Sequence, residues 1–292
     1  MAIYLETNAL RKLTDYSCKE PVYTSIFSVF EILSGITETD FYIRKACLER
    51  INEQKLEIKG PMVDKLLMIL LGESGYNEFA YEMIMDLYNA TLKAASFSEL
   101  KNVYLCCTDE NGKLEFLTID WLNEWDEHIS NIRNDVPKLF EEESKDYIKD
   151  IYNSSNVKGL AEYFWKKIYE NRLNEDRIAH AEGFVGQDAI KHIRQETEEL
   201  FSKYNYKLFM TAQAVVFSIS YFINGNRQNR NNPSDLLHLL YLNENDKFVS
   251  NDKIYQTIFN ACPEFNLIEL NNEKRIIRIN MTSNAEKPSS ES

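Results

Sequence analysis

Four carboxylates stand out by position. Glu6 directly follows Ala-Ile-Tyr-Leu, a short apolar run that predicts a buried strand, and Asp252 follows a second such run, Lys247-Phe248-Val249-Ser250. Open parallel α/β sheets place their ligands at this carboxyl edge. Asp235 opens a predicted helix that leads into the second strand. Glu31 sits inside the mostly apolar stretch 26–36, a costly place for an acid unless it faces a cleft or a cation. Carboxylates that converge on an aqueous pocket bind Mg²⁺ or Mn²⁺, which prefer hard oxygen ligands. One or two such ions activate water and stabilise a phosphodiester transition state. A plainer reading competes at each position: Glu6, Asp235 and Asp252 can cap helices, and Glu31 can point to solvent from its helix.

Other residues fit around this group. Asn8 and Ser250 are placed to hydrogen-bond a ligand carboxylate or water, with capping an equal alternative for Asn8. Arg227 and Arg230 lie in an Asn-rich segment ahead of Asp235, where they either contact phosphate or belong to a solvated loop. His238, one helical turn past Asp235, reads as a packing residue rather than a ligand. The Tyr and Trp side chains of the middle segment suit base stacking, although core packing is the favoured reading.

The elements that would position these groups follow from pattern. Strands are expected at residues 2–5, 22–24, 247–250 and 265–269. Helices are expected from Thr7 or Asn8, over 26–36 with Gly35 near the end, and over 41–54 and 61–71. Further helices are expected over 208–223, from Ser234 as cap through Leu242, and over 253–261. Between about 74 and 207 the text turns to long, polar, Tyr-, Asn- and Glu-rich helical segments. Within it 109–113 predicts a turn, flanked by short apolar runs at 103–105 and 114–117. The polar tail 282–292 is expected to be disordered.

Composition bounds the class. The 292 residues include 44% hydrophobic side chains, 17 Tyr and 16 Phe, enough for an ordinary core, so wholesale disorder is excluded. Only 9 Gly and 6 Pro argue against collagen-like or turn-dense all-β designs. No apolar run approaches the roughly 18–20 residues that cross a bilayer, and no basic segment precedes an apolar one at the start, so a cytoplasmic chain without a cleaved signal is expected. The five scattered cysteines and four histidines show no zinc-ligand spacing, and reduced thiols are the default. The net charge of −13 is concentrated: residues 61–150 carry 8 basic and 19 acidic side chains, a net of −11. The remainder is close to neutral, so phosphate-directed chemistry at the two ends is compatible with the overall acidity.

Taken in order, these segments resemble PIN-domain ribonucleases. Ile3-Tyr4-Leu5-Glu6-Thr7-Asn8 is similar to the first motif of that family, and Ser28-Val29-Phe30-Glu31-Ile32-Leu33-Ser34-Gly35 to the helix bearing its invariant Glu. Asp235-Leu236-Leu237-His238 and Phe248-Val249-Ser250-Asn251-Asp252 are similar to the third and fourth motifs. The resemblance implies a three-layer α/β/α domain with a central, mostly parallel sheet, formed by residues 1–72 and 208–281. Residues 73–207 would then be an acidic, mainly helical insertion. It implies a metal-dependent endoribonuclease in which Glu6, Glu31, Asp235 and Asp252 hold Mg²⁺ or Mn²⁺ and orient the attacking water. The family has Asp where this chain has Glu6, which implies altered metal affinity. RNA is the implied substrate, in a toxin–antitoxin or host-defence setting, and the acidic insertion fits a basic partner such as an antitoxin-like inhibitor. The rival readings are a non-catalytic interaction module and a DNA-directed nuclease.

Overall fold

The computed structural model describes residues 1–16, 18–73, 77, 79–108, 114–136, 145–181, 183, 186–218, 235–250, 252–261 and 266–269. Five strands form one sheet: β1 (Ile3–Leu5), β2 (Val22–Ser25), β3 (Glu57–Lys59), β6 (Lys247–Ser250) and β7 (Asn266–Glu269), in the order β3-β2-β1-β6-β7. Every pairing in it is parallel. Parallel strands are buried on both faces and so read as continuous apolar runs. All of Ile3–Leu5 and Lys247–Ser250 are buried accordingly, with Lys247 neutralised by Glu20 at 2.6 Å. Tyr4 at the centre stacks on Phe248 at 5.5 Å and packs against Tyr23 at 5.3 Å.

The expected strands are present, and β3 is an addition. Its Glu-Ile-Lys sequence has one apolar residue and therefore no pattern; pairing with β2 makes it a strand. β4 (Leu105–Thr108) and β5 (Leu114–Leu117) pair antiparallel, as the flanks of the predicted turn should, while the turn itself lies outside the described residues. Residues 219–234, with Arg227 and Arg230, lie outside them too, as does the tail 282–292.

Helices α1 (Thr7–Lys12), α2 (Ile26–Ser34), α3 (Phe41–Glu53) and α4 (Val63–Leu71) carry the first part of the chain around the sheet. The expected helix after Ser234 is instead a 3₁₀ helix, Asp235–Tyr241. Its four leucines are fully buried, and the tighter winding puts positions 235, 238 and 241 on one edge. α12 (Lys253–Ala261) follows β6.

The middle of the chain supplies α5 (Ala80–Lys93), α6 (Phe97–Lys101), α7 (Trp121–Asp135), α8 (Lys145–Arg172, broken at Asn156), α9 (Glu175–Ala181), α10 (Gln187–Lys203) and then α11 (Tyr206–Ser218). One hydrophobic cluster runs from Tyr4 and Phe30 to Leu87, Trp125, Phe164 and Phe209, so this segment shares the core of the sheet domain. Polar ties reinforce it: Tyr88 Oη donates to the Leu48 carbonyl at 3.2 Å, and Tyr206 Oη to that of Leu66 at 2.9 Å. α4 ends at Gly72, whose φ of +76° is the left-handed conformation that favours glycine. A Cβ there would lie 1.7 Å from Arg172, whose Nε donates to the Leu70 carbonyl at 2.9 Å. No helix among the described residues is long and apolar enough to cross a membrane, and Cys18 and Cys47 are free thiols.

Candidate functional site

The sheet order reverses between β1 and β6, because the chain runs outward to β2 and β3 on one side and to β7 on the other. Such a switch point opens a crevice at the carboxyl ends of the two strands. A cleft of about 330 Å³ opens beside the end of β1, lined by Glu6 and by residues of α1, α2, α3, α7 and the 3₁₀ helix.

Glu6 enters it from the end of β1. The side chain is 2% exposed and caps α1, with Oε2 accepting from the Asn8 amide at 2.6 Å and Oε1 from the Ala9 amide at 3.2 Å. Capping and cleft lining therefore coincide in one residue. Burial pushes the Glu6 carboxyl above its usual range, against the pull of His238 and the Asn8 amide.

Glu31 enters from α2. That helix is capped by Ser25 and buries Ile26, Phe27, Val29, Phe30, Ile32 and Leu33, so its one acid is turned to the cleft, 22% exposed. Glu31 Oε2 accepts from Thr7 Oγ1 and from His238 Nε2, the latter at 3.0 Å. Burial acts to raise this carboxyl too, but His238, Thr7 and Arg11 together hold it below its usual range. Two neighbouring carboxyls pushed in opposite directions is a common signature of functional sites.

Two guanidinium groups complete the polar wall. Arg11 donates to the Glu31 carbonyl at 3.1 Å, and Arg44 to the carbonyls of Glu31 and Ile32 at 3.3 and 2.9 Å. They thus occupy the negative end of α2. Gly35 lets Arg44 approach: a Cβ there would lie 2.7 Å from the guanidinium. α7 adds Asp126, Ile129 and Ser130 to the lining. No family model, curated protein or solved structure matches this chain. Function has to be argued from the cleft.

Of the residues singled out in the sequence, Glu6, Glu31 and Asn8 meet in the cleft. Ser250 is fully buried one strand away, where Leu5 pairs with Val249, and its hydroxyl works against the rise of the Glu6 carboxyl. Asp252 stands at the head of α12, half-buried, with Oδ1 accepting from the Ile254 amide at 3.4 Å and its own amide donating to Ser250 Oγ at 3.1 Å. It is not among the residues that line the cleft. Asp235 starts the 3₁₀ helix, and its side chain lies outside the description. Among the described residues, no group of three or more His, Cys, Asp or Glu is arranged to hold a metal ion.

Sequence reasoning passes over Arg11, Arg44 and Asp126, which line the cleft, and reads His238 as a packing residue. His238 had a signal, its turn spacing from Asp235. Its burial against the Tyr4 and Phe27 rings fits packing, and both ring nitrogens are engaged by polar partners as well. Asp126 had none, being one acid among many.

The raised Glu6 carboxyl has a measurable consequence. The folded protein binds this proton more tightly than the unfolded chain does, so ionising Glu6 costs stability. The cost is absent below the ordinary carboxylate range and grows as pH rises from there through the raised value. In chelator, Glu6→Gln should therefore gain stability relative to the parent as pH increases across that window. Denaturant titrations at several pH values check this, and curves that stay parallel would show that Glu6 is not held at a cost.

Proposed function

We propose that this chain is a metal-dependent endoribonuclease of PIN-like type. The observation that carries this reading is that Glu6 and Glu31, from separate segments, share one cleft at the switch point of an all-parallel sheet, with two guanidinium groups beside them. The donors fit a hard divalent cation such as Mg²⁺ or Mn²⁺: both bonds to the Glu31 carboxylate fall on Oε2, leaving Oε1 for a cation. Glu6 supplies a second carboxylate, and Asp235 and Asp252 complete the set in this reading. A bound ion would supply Lewis acidity and an activated water. Arg11 and Arg44 bind the scissile phosphate and neutralise its charge. Ser250 orients Glu6 and Asp252, and Asn8 offers an amide at the rim. Arg227 and Arg230 extend the phosphate contacts along the strand.

Single-stranded RNA and DNA of one sequence, incubated with the full chain in Mn²⁺ and again in chelator, test the proposal. RNA cleavage abolished by chelator is the expected result. Cleavage of DNA alone would reassign the substrate. No cleavage together with no Mn²⁺ binding would leave an interaction module and overturn the proposal.

A further inference from the structure

Behind Glu31 runs a line of buried polar groups that the shape of the cleft does not require. His238 is 2% exposed, with Nε2 at 3.0 Å from Glu31 Oε2 and Nδ1 at 2.8 Å from Tyr4 Oη. Tyr4 is fully buried, and its Oη lies 2.8 Å from Ser25 Oγ. Ser25 Oγ in turn accepts the Ser28 amide at 3.2 Å. These groups come from β1, the start of α2 and the 3₁₀ helix, so three distant segments meet at one imidazole.

The direction of each bond follows from chemistry. An ionised carboxylate only accepts, so His238 Nε2 must carry the hydrogen that it donates to Glu31. With the imidazole neutral, its lone pair is at Nδ1 and Tyr4 O–H donates to it, with Ser28 Oγ 3.5 Å from the same nitrogen; an imidazolium would donate from both nitrogens instead. Tyr4 Oη then accepts from Ser25 O–H. Burial pushes the Tyr4 phenol up from its ordinary value, so it remains a donor at any ordinary pH. All the donors point the same way, toward Glu31.

We infer that Tyr4 and His238 are positioning residues: Tyr4 fixes the imidazole in its Nε2–H tautomer, and the imidazole anchors Glu31 Oε2 so that Oε1 is presented to a cation. The inference rests on the metal-site reading above. A histidine that served packing alone would satisfy its nitrogens on any nearby carbonyl. This one spends Nε2 on a carboxylate that lines the cleft. Partners of this kind, one bond removed from the ligand, fix its orientation and typically change metal affinity about 10–100-fold when lost.

The test uses the full chain and Mn²⁺, with affinity measured by calorimetry on the parent, Glu31→Gln, Tyr4→Phe, His238→Leu and His238→Gln. Tyr4→Phe removes one oxygen and keeps the stacked ring, so it guards against a His238→Leu variant that fails to fold. Tyr4→Phe and His238→Leu are expected to bind Mn²⁺ about 10–100-fold more weakly. His238→Gln, whose amide offers an N–H to Glu31 and a carbonyl to Tyr4, should stay within about threefold of the parent, a small part of that loss. In chelator, ¹⁵N spectra of the imidazoles, assigned by the signal missing from His238→Gln, should show the Nε2–H tautomer in the parent. An Nδ1–H tautomer, or an imidazolium with both nitrogens protonated, would overturn the inference. So would parent-like affinity in Tyr4→Phe, or a loss in His238→Gln as large as that in His238→Leu. If Glu31→Gln alone loses Mn²⁺, the positioning role fails and the metal site stands. If the parent itself binds no Mn²⁺, the site fails and the inference with it.

Discussion

On the proposed metal-site reading, Glu31→Gln should cleave RNA at least about 100-fold more slowly than the parent, since losing a ligand ought to exceed the 10–100-fold cost of losing a ligand's own hydrogen-bond partner. The substitution is nearly isosteric, and its amide oxygen can still accept from His238 Nε2 and Thr7 Oγ1, as Glu31 Oε2 does. Satisfying those two donors turns the amide NH₂ toward the position of Oε1. A donor there cannot ligate a cation, and the charge is gone as well. The fold should persist, because the six buried apolar residues of α2 are untouched. Initial rates in Mn²⁺, with circular dichroism as the folding check, measure the effect. Glu38→Gln, at an exposed position, serves as the control and should behave as the parent does. A Glu31→Gln enzyme within a few-fold of the parent would remove this carboxylate from the chemistry.

The second large effect concerns stability. α7 is held against α4 by a buried hydrogen bond, from Trp125 Nε1 to Asp64 Oδ2 at 3.0 Å. Asp64 is 3% exposed, and its other oxygen accepts the Lys65 amide at 2.8 Å. Burial pushes this carboxyl above its usual range, and the Trp125 bond works against that rise. Trp125→Phe keeps most of the ring that meets Phe30 edge-on at 5.7 Å but removes the donor. Losing a hydrogen bond to a charged group costs about 1.5–3 kcal/mol, and the smaller side chain adds to it. A total of about 2–4 kcal/mol is expected, a fall in Tm of about 3–7 °C for a chain of this length. The mechanism is separable from packing. Adding Asp64→Leu to the Trp125→Phe background removes the orphaned carboxylate and should recover part of the loss. If the double variant is as unstable as the sum of the two singles, the bond is not what holds α7. Because α7 also brings Asp126, Ile129 and Ser130 to the cleft, loosening it should reduce the proposed RNA cleavage along with stability.

Local chemistry made much of the fold legible. Ile3–Leu5 and Lys247–Ser250 are apolar runs because a central parallel strand is covered on both faces, and that signature survives in one dimension. Glu6 marks a helix start, as its capping reading allowed, because a side-chain oxygen must meet the first free amides; Ser25 does the same for α2 without having been singled out. Glu57–Lys59 was not legible, since an edge strand of three residues is made by its neighbour. The Asp235–Tyr241 segment was legible as helical but not as 3₁₀, because the tighter winding answers to the core around its leucines.

The site divides along the same line. Glu6 and Glu31 could be singled out from sequence alone, because an acid at a strand end and an acid within an apolar helix each break a local rule that burial imposes. Their meeting with His238 could not. Residues 6, 31 and 238 come together only when β1 pairs with β6 and the 3₁₀ helix seals against α2, and nothing within a few residues of His238 encodes a bond to Glu31. Likewise Asp126 and the two arginines acquire a role from what lies opposite them. Composition and periodicity determined which elements form, because hydrogen bonding and burial act over a few residues. Tertiary structure alone decided which side chains share a cleft and how their charges shift, because the electrostatics of a buried group depend on neighbours far away in the chain.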